Sequence, residues 1–184
     1  MTRPMNSHNF EPTYKSLGID LDSLGCIMLD VEPHQSLDEV IPSDWLYTSP
    51  DPKKFWFNNV LDHLHVSLLY GLMENGNVWK RHVDEVLFGW HPDIIEVDHI
   101  TAFPSPLPTE PYSCIIAKLR ITDNLLEAHQ RLSFLPHINT YPEYTPHITL
   151  AYVKQRYEKE TIERFSYQIP FHFDPIGLNY GDRV

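Results

Sequence analysis

The sequence predicts an α+β fold: two pseudo-symmetric lobes, each a small antiparallel sheet with helices on its outer side, around a central groove. Three observations carry this reading. Short alternating apolar runs, rich in β-branched residues and bounded by Pro and Gly, have the period of strands. A few segments at helical spacing fall between them. A weak internal repeat sets Cys26-Ile27-Met28-Leu29-Asp30 against Cys114-Ile115-Ile116-Ala117-Lys118. Each half then reads strand, helix, loop, motif strand, helix, strand. Two repeats are too few for a solenoid, so a pair of lobes accounts for them better. Residues 1–20 lack periodicity and read as an irregular arm; 21–184 read as one bilobal domain.

Taken in order, Gly25 to Val31 is the first strand, and Ser36 to Val40 reads as a short helix. The stretch Ile41 to Pro52, with three prolines, is a loop. Phe55-Trp56-Phe57 leads into an alternating strand at Leu64 to Leu69, which Gly71 ends. Val78 to Phe88 has a one-sided apolar pattern and reads as a helix. Ile94 to Phe103 is a strand, Pro104 to Pro108 a rigid loop, and Tyr112 to Arg120 an Ile-rich strand. Thr122 or Asp123 caps a helix running to about Phe134. His147 to Val153 alternates again, Lys159 to Phe165 is a short helix, and Phe171 to Leu178 closes as a strand bent at Pro175.

The chemistry concentrates in two near-copies, His65-Val66-Ser67-Leu68 and His147-Ile148-Thr149-Leu150, about half a chain apart. Each sits in a strand. Positions i and i+2 share a strand face, so each motif projects an imidazole and a hydroxyl together. Two such pairs across a cleft supply imidazoles for proton transfer and hydroxyls to hold an anion. Both tetrapeptides match the His-aliphatic-Thr/Ser-aliphatic signature that defines the 2H phosphoesterase superfamily, which the chain resembles. That superfamily includes 2'-5' RNA ligase-like proteins and cyclic phosphodiesterases. The extended runs LHVSLLYGL and EYTPHITLAYV are most similar to the phage anti-CBASS enzymes, which degrade cyclic dinucleotide signals. The resemblance implies a bilobal fold with both motif strands facing the groove. It implies a phosphodiesterase opening 3',5' linkages of cyclic di- or trinucleotides such as cGAMP by attack of a ribose 2'-hydroxyl, and so countering host CBASS immunity. His65 and His147 would be acid and base, in an order the sequence leaves open. Ser67 and Thr149 would donate to the phosphoryl oxygens. This chemistry needs no metal and no cofactor.

Composition narrows the substrate. The net charge is -11, with no basic run, so the field of the chain repels a long polyanion. A small nucleotide is the easier ligand, and no long nucleic acid is expected as partner. No apolar run approaches the ~20 residues of a membrane span, and the start lacks the apolar core of a signal peptide. We therefore expect no membrane partner and a cytoplasmic location, the host cytoplasm if the chain is phage-encoded. Cys26 and Cys114 lie in apolar runs without Cys-x-x-Cys spacing and read as two reduced thiols.

Strand parity restricts the neighbours of the motifs. Tyr70 and Tyr152 are out of phase with the histidines and, in unbroken strands, point away from the groove. Loop aromatics are the better candidates for stacking a base: Trp56, Phe103, Tyr144, and Tyr180 as a lid on a mobile tail. Three other readings stand beside the first. RNA-end processing of a 2',3'-cyclic phosphate uses the same residues. A nucleotide sponge would bind without turnover. A zinc hydrolase could use His63 and His65, an i, i+2 pair, but His82, His91 and His99 lack a ligand spacing.

Overall fold

The alternation in the sequence becomes six strands in a computed structural model of the chain, which describes residues 24–34, 36–37, 39–50, 63–105, 111–139, 143–168 and 172–182. The expected arm at 1–20, the lead-in with Trp56, and Pro106 to Pro108 lie outside the described residues. The strands are β1 (Gly25–Pro33), β2 (Leu64–Leu72), β3 (Ile95–Pro104), β4 (Tyr112–Leu119), β5 (His147–Lys154) and β6 (His172–Asp182). The helices are α1 (Lys80–Val86), entered through a 3-10 turn at Gly76–Trp79, α2 (Asp123–Leu132) and α3 (Glu158–Gln168). Among the described residues, no helix is long and apolar enough to cross a membrane.

The strands close antiparallel in the order β1-β2-β5-β4-β3-β6. Their pairing is uneven. β1 pairs along its length with both β2 and β6, and β4 pairs in the same way with β3 and β5. Between these two groups the contacts are thin. Val66 lies opposite Ile148 at one seam. Ile95 and Glu96 lie opposite Phe173 and His172 at the other. The halves of the sequence are not the halves of the sheet. β3, from the first repeat, completes the β4–β5 group, and β6, from the second, completes the β1–β2 group. The helical connections make this exchange possible, because α1 after β2 and α3 after β5 carry the chain across to the other group.

Apolar positions of helices and sheet meet in one core. Leu125, Ala128 and Leu132 of α2 follow helical spacing and are fully buried, as are Leu68, Ile115, Ile148, Phe165 and Phe173. Each large side chain so buried stabilises the fold by about 1.5–3 kcal/mol. Thr122 caps α2, its hydroxyl accepting from Leu125 N at 3.2 Å. The bend expected at Pro175 is a bulge: Asp30 pairs with Gly177 and Val31 with Pro175, leaving Ile176 unpaired. The helix expected at Ser36 to Val40 does not form. The described part is a turn, with Val40 N donating to Leu37 O and Glu39 at φ 66°. So short a segment cannot repay helix nucleation.

Gly71, near the end of β2, ties the two motif regions together. Its carbonyl accepts from Ile138 N at 2.8 Å, on the segment leading to β5. Its φ is +99°, and a Cβ there would lie 2.2 Å from Ile138 O. Gly71→Ala is therefore expected to destabilise the fold by more than about 1 kcal/mol, seen as a lower midpoint in urea denaturation.

Candidate active site

The site grows from the thin seam between β2 and β5. Carried one residue each way, the register of Val66 and Ile148 sets His65 across from Thr149 and Ser67 across from His147. All four side chains are half-buried, whereas Val66, Leu68, Ile148 and Leu150 are buried on the other side. The two motifs thus meet about a local two-fold axis, with the imidazole and hydroxyl of each on the same side of the sheet.

Each imidazole is held by the carbonyl two residues before it. His147 Nδ1 lies 2.9 Å from Thr145 O. A carbonyl oxygen only accepts, so Nδ1 carries the proton and Nε2 is presented to the groove. His65 makes the corresponding bond to the His63 carbonyl. Burial holds both imidazoles below the usual histidine range, partly offset in each by that backbone bond. At His65 the Asp30 carboxylate also favours the proton, while the charge on His147 opposes it. The imidazoles are thus close enough to feel each other, and adding a second proton to the pair is disfavoured.

The neighbours on the adjoining strands follow one pattern in both groups. In β1, Cys26, Met28 and Asp30 lie opposite Tyr70, Ser67 and His65. In β4, Cys114, Ile116 and Lys118 lie opposite Tyr152, Thr149 and His147. Each motif strand has a bulge at the fourth motif residue, Leu68 or Leu150, which the register skips. This corrects the expectation for Tyr70 and Tyr152. An extra residue reverses the parity beyond it, so both tyrosines return to the side of the histidines. Cys114 shows this for β5: its Sγ–H points at Thr149 Oγ1, 3.9 Å away, and it also bonds the Tyr152 side chain. Burial pushes the Cys114 thiol up to about 11, so it is no thiolate nucleophile at neutral pH. Neither cysteine is in a disulfide; Cys26 is the more buried, its thiol donating to Gly181 O at 3.3 Å.

The loop aromatics divide. Phe103, on β3, is 39% exposed and meets the His147 ring edge-on at 5.1 Å, so it lies at the site. Tyr144 does not face the groove. It stacks on His129 of α2 at 4.0 Å, and His129 Nδ1–H donates to Leu68 O at 2.8 Å. Tyr144 thereby braces the first bulge from the approach to the second motif. Tyr180 is not on a mobile tail. It lies in β6 opposite Ile27, with its hydroxyl on Asp84 of α1 at 3.1 Å and Lys80 over its ring. The strand is extended beyond Leu178 by pairing with β1, which carries Tyr180 to the helical side. Trp56 lies outside the described residues. His63 is exposed, and among the described residues no three His, Cys, Asp or Glu converge to hold a metal ion.

Sequence reasoning missed Asp30, Asn179 and Lys118. Asn179 Nδ2 donates to both Asp30 oxygens, at 3.1 and 3.2 Å, beside His65. Cross-strand partners leave no local trace in sequence, although the internal repeat ends on Asp30 and Lys118. The tyrosines did have a signal, since Leu68-Leu69 and Leu150-Ala151 break the alternation.

Neither a family model nor a curated protein matches the chain. The geometry defines a class of site: two imidazole–hydroxyl pairs, each imidazole held by a backbone carbonyl, on one side of an antiparallel sheet.

The lowered histidine pKa values have a consequence for stability. As pH falls below about 6.5 the unfolded chain takes up protons that the folded chain resists, so stability falls with it. The loss continues until the folded imidazoles protonate. Replacing both residues by Gln is expected to shrink the drop in urea midpoint between pH 7 and pH 5. An unchanged drop would place the proton uptake elsewhere.

Proposed function

We propose that this protein is a metal-independent phosphodiesterase of the 2H phosphoesterase type, cleaving 3',5' bonds of small cyclic oligonucleotides such as cGAMP. The observation that carries the reading is the meeting of both His-x-hydroxyl motifs at one seam, with the two imidazoles close enough to disfavour a second proton. One neutral imidazole takes the proton of the ribose 2'-hydroxyl. The oxygen attacks the adjacent phosphorus, and the bond from phosphorus to the 5' oxygen breaks. The protonated imidazole gives its proton to that leaving oxygen. Ser67 and Thr149 donate to the phosphoryl oxygens as charge builds on them. The product is a 2',3'-cyclic phosphate and a free 5'-hydroxyl.

The surrounding groups fit this use. Phe103 offers an apolar ring beside His147 for a base. Tyr152 reaches the same side beyond Thr149. The net charge of -11 favours a compact ligand over a long strand. In a cell such an enzyme would act in the cytoplasm on nucleotide signals, and a phage-encoded one would counter CBASS immunity.

Incubation with a panel of cyclic dinucleotides in EDTA, read by mass spectrometry, is expected to show cleavage. His65→Ala and His147→Ala should each slow it by about 10²–10⁴-fold. Full activity in either variant would remove the two-histidine mechanism. A cyclic dinucleotide lacking the attacking 2'-hydroxyl should resist at that phosphate. Faster cleavage of RNA ends carrying a 2',3'-cyclic phosphate would move the substrate assignment there.

A further inference from the structure

The local two-fold axis of the site is broken by charge. Asp30 and Lys118 occupy equivalent places, one strand beyond each motif and directly opposite its histidine. Asp30 is satisfied, with Asn179 donating to both its oxygens. Lys118 is not. It is half-buried, and among the described residues it has no hydrogen bond or ion pair. Its cross-strand neighbours are His147 on β5 and His99 on β3. The nearest carboxylate in sequence on β3, Asp98, is engaged by His99 Nδ1 at 2.8 Å. A lysine packs its stem along a sheet and keeps its ammonium group in the groove, where it can meet an anion. The absence of a counter-ion is the more unusual in a chain with 25 acidic and 14 basic residues.

A row of potential donors therefore runs across three strands, His99, Lys118 and His147, while the matching row of the other group is Gly177, Asp30 and His65, with a carboxylate where the first has the ammonium group. An anion is attracted to the first row and repelled by the second. The phosphate being cleaved belongs at the seam, between His65 and His147. Neighbouring strands are about 4.8 Å apart, and the flexible lysine stem extends the reach of its ammonium group. Lys118 thus addresses an anion one strand beyond the seam.

We propose that Lys118 binds a second phosphate of the substrate, one that is not cut in that turnover. The inference rests on the phosphodiesterase reading of the groove and deepens it. It assigns the substrate class as nucleotides with at least two phosphates, laid with the intact phosphate over β4 and an uncharged nucleoside over β1. A mononucleoside 2',3'-cyclic phosphate, with a single phosphate, leaves Lys118 unused.

The test compares cyclic diguanylate, with two phosphates, and 2',3'-cyclic GMP, with one. Lys118→Met keeps the stem and removes the charge, and Lys118→Arg keeps the charge. Binding is measured by calorimetry in the His65→Ala background, where turnover does not interfere, and kcat and KM are measured in the otherwise native chain. Lys118→Met is expected to weaken cyclic diguanylate by roughly tenfold, mainly in Kd and KM. It should change 2',3'-cyclic GMP by less than about twofold, and Lys118→Arg should restore most of the loss. Equal losses on both ligands, or none on either, would overturn the second-phosphate site. Binding that depends on Lys118 without any cleavage by the native chain would keep the site and remove the enzymatic reading. Cleavage that ignores Lys118 would do the reverse, and absence of both binding and cleavage would remove both.

Discussion

Everything distinctive about this molecule depends on how little β2 and β5 touch. The two three-stranded groups are well laddered within themselves, but at this seam they share one pair, Val66 with Ile148. A full ladder would lay the motif strands flat against each other. A single pair fixes the register and lets the strands splay on either side. Because register fixes parity, that one contact decides that both imidazoles and both hydroxyls share a side. The bulges at Leu68 and Leu150 then bring a tyrosine back to that side in each strand.

The apolar side of the same strands makes the arrangement rigid. Leu68 and Leu150 are fully buried, and the core is continuous from α1 and α2 to α3. The carbonyl of Leu68, exposed by its bulge, is not left unpaired: His129 takes it, and Tyr144 stacks on His129. Tyr144, a base-stacking candidate by sequence, thus serves with His129 as a brace. The catalytic candidates are the half-buried ones, poised between core and solvent, where burial lowers an imidazole pKa without removing access.

Much of this was legible in the sequence. All six strands fall on the apolar runs that predict them, the cap of α2 follows Thr122, and the motif residues lie at one seam. The three tyrosine failures on strands share a cause. Tyr70, Tyr152 and Tyr180 were assigned by parity or position in unbroken elements. Bulges reversed the first two, and an extra stretch of pairing placed the third against α1. The residues of the repeat take matching registers in β1–β2 and β4–β5, but the grouping of β3 and β6 was not legible, because long-range pairing decides it. Asp30, Asn179 and Lys118 matter through cross-strand neighbours, and no local pattern announces those.

The exchange of β3 and β6 also orders events during synthesis. Among the described strands, β1 has one edge left open until β6, the last of the six in chain order, pairs with it. An open edge invites mispairing. Until β6 arrives, Asn179 is absent and the Asp30 carboxylate has no amide to hold it. The second three-stranded group, β3 to β5, is complete earlier and can serve as a template. The charge asymmetry around the histidine pair thus depends on β6, which supplies Asn179 to Asp30.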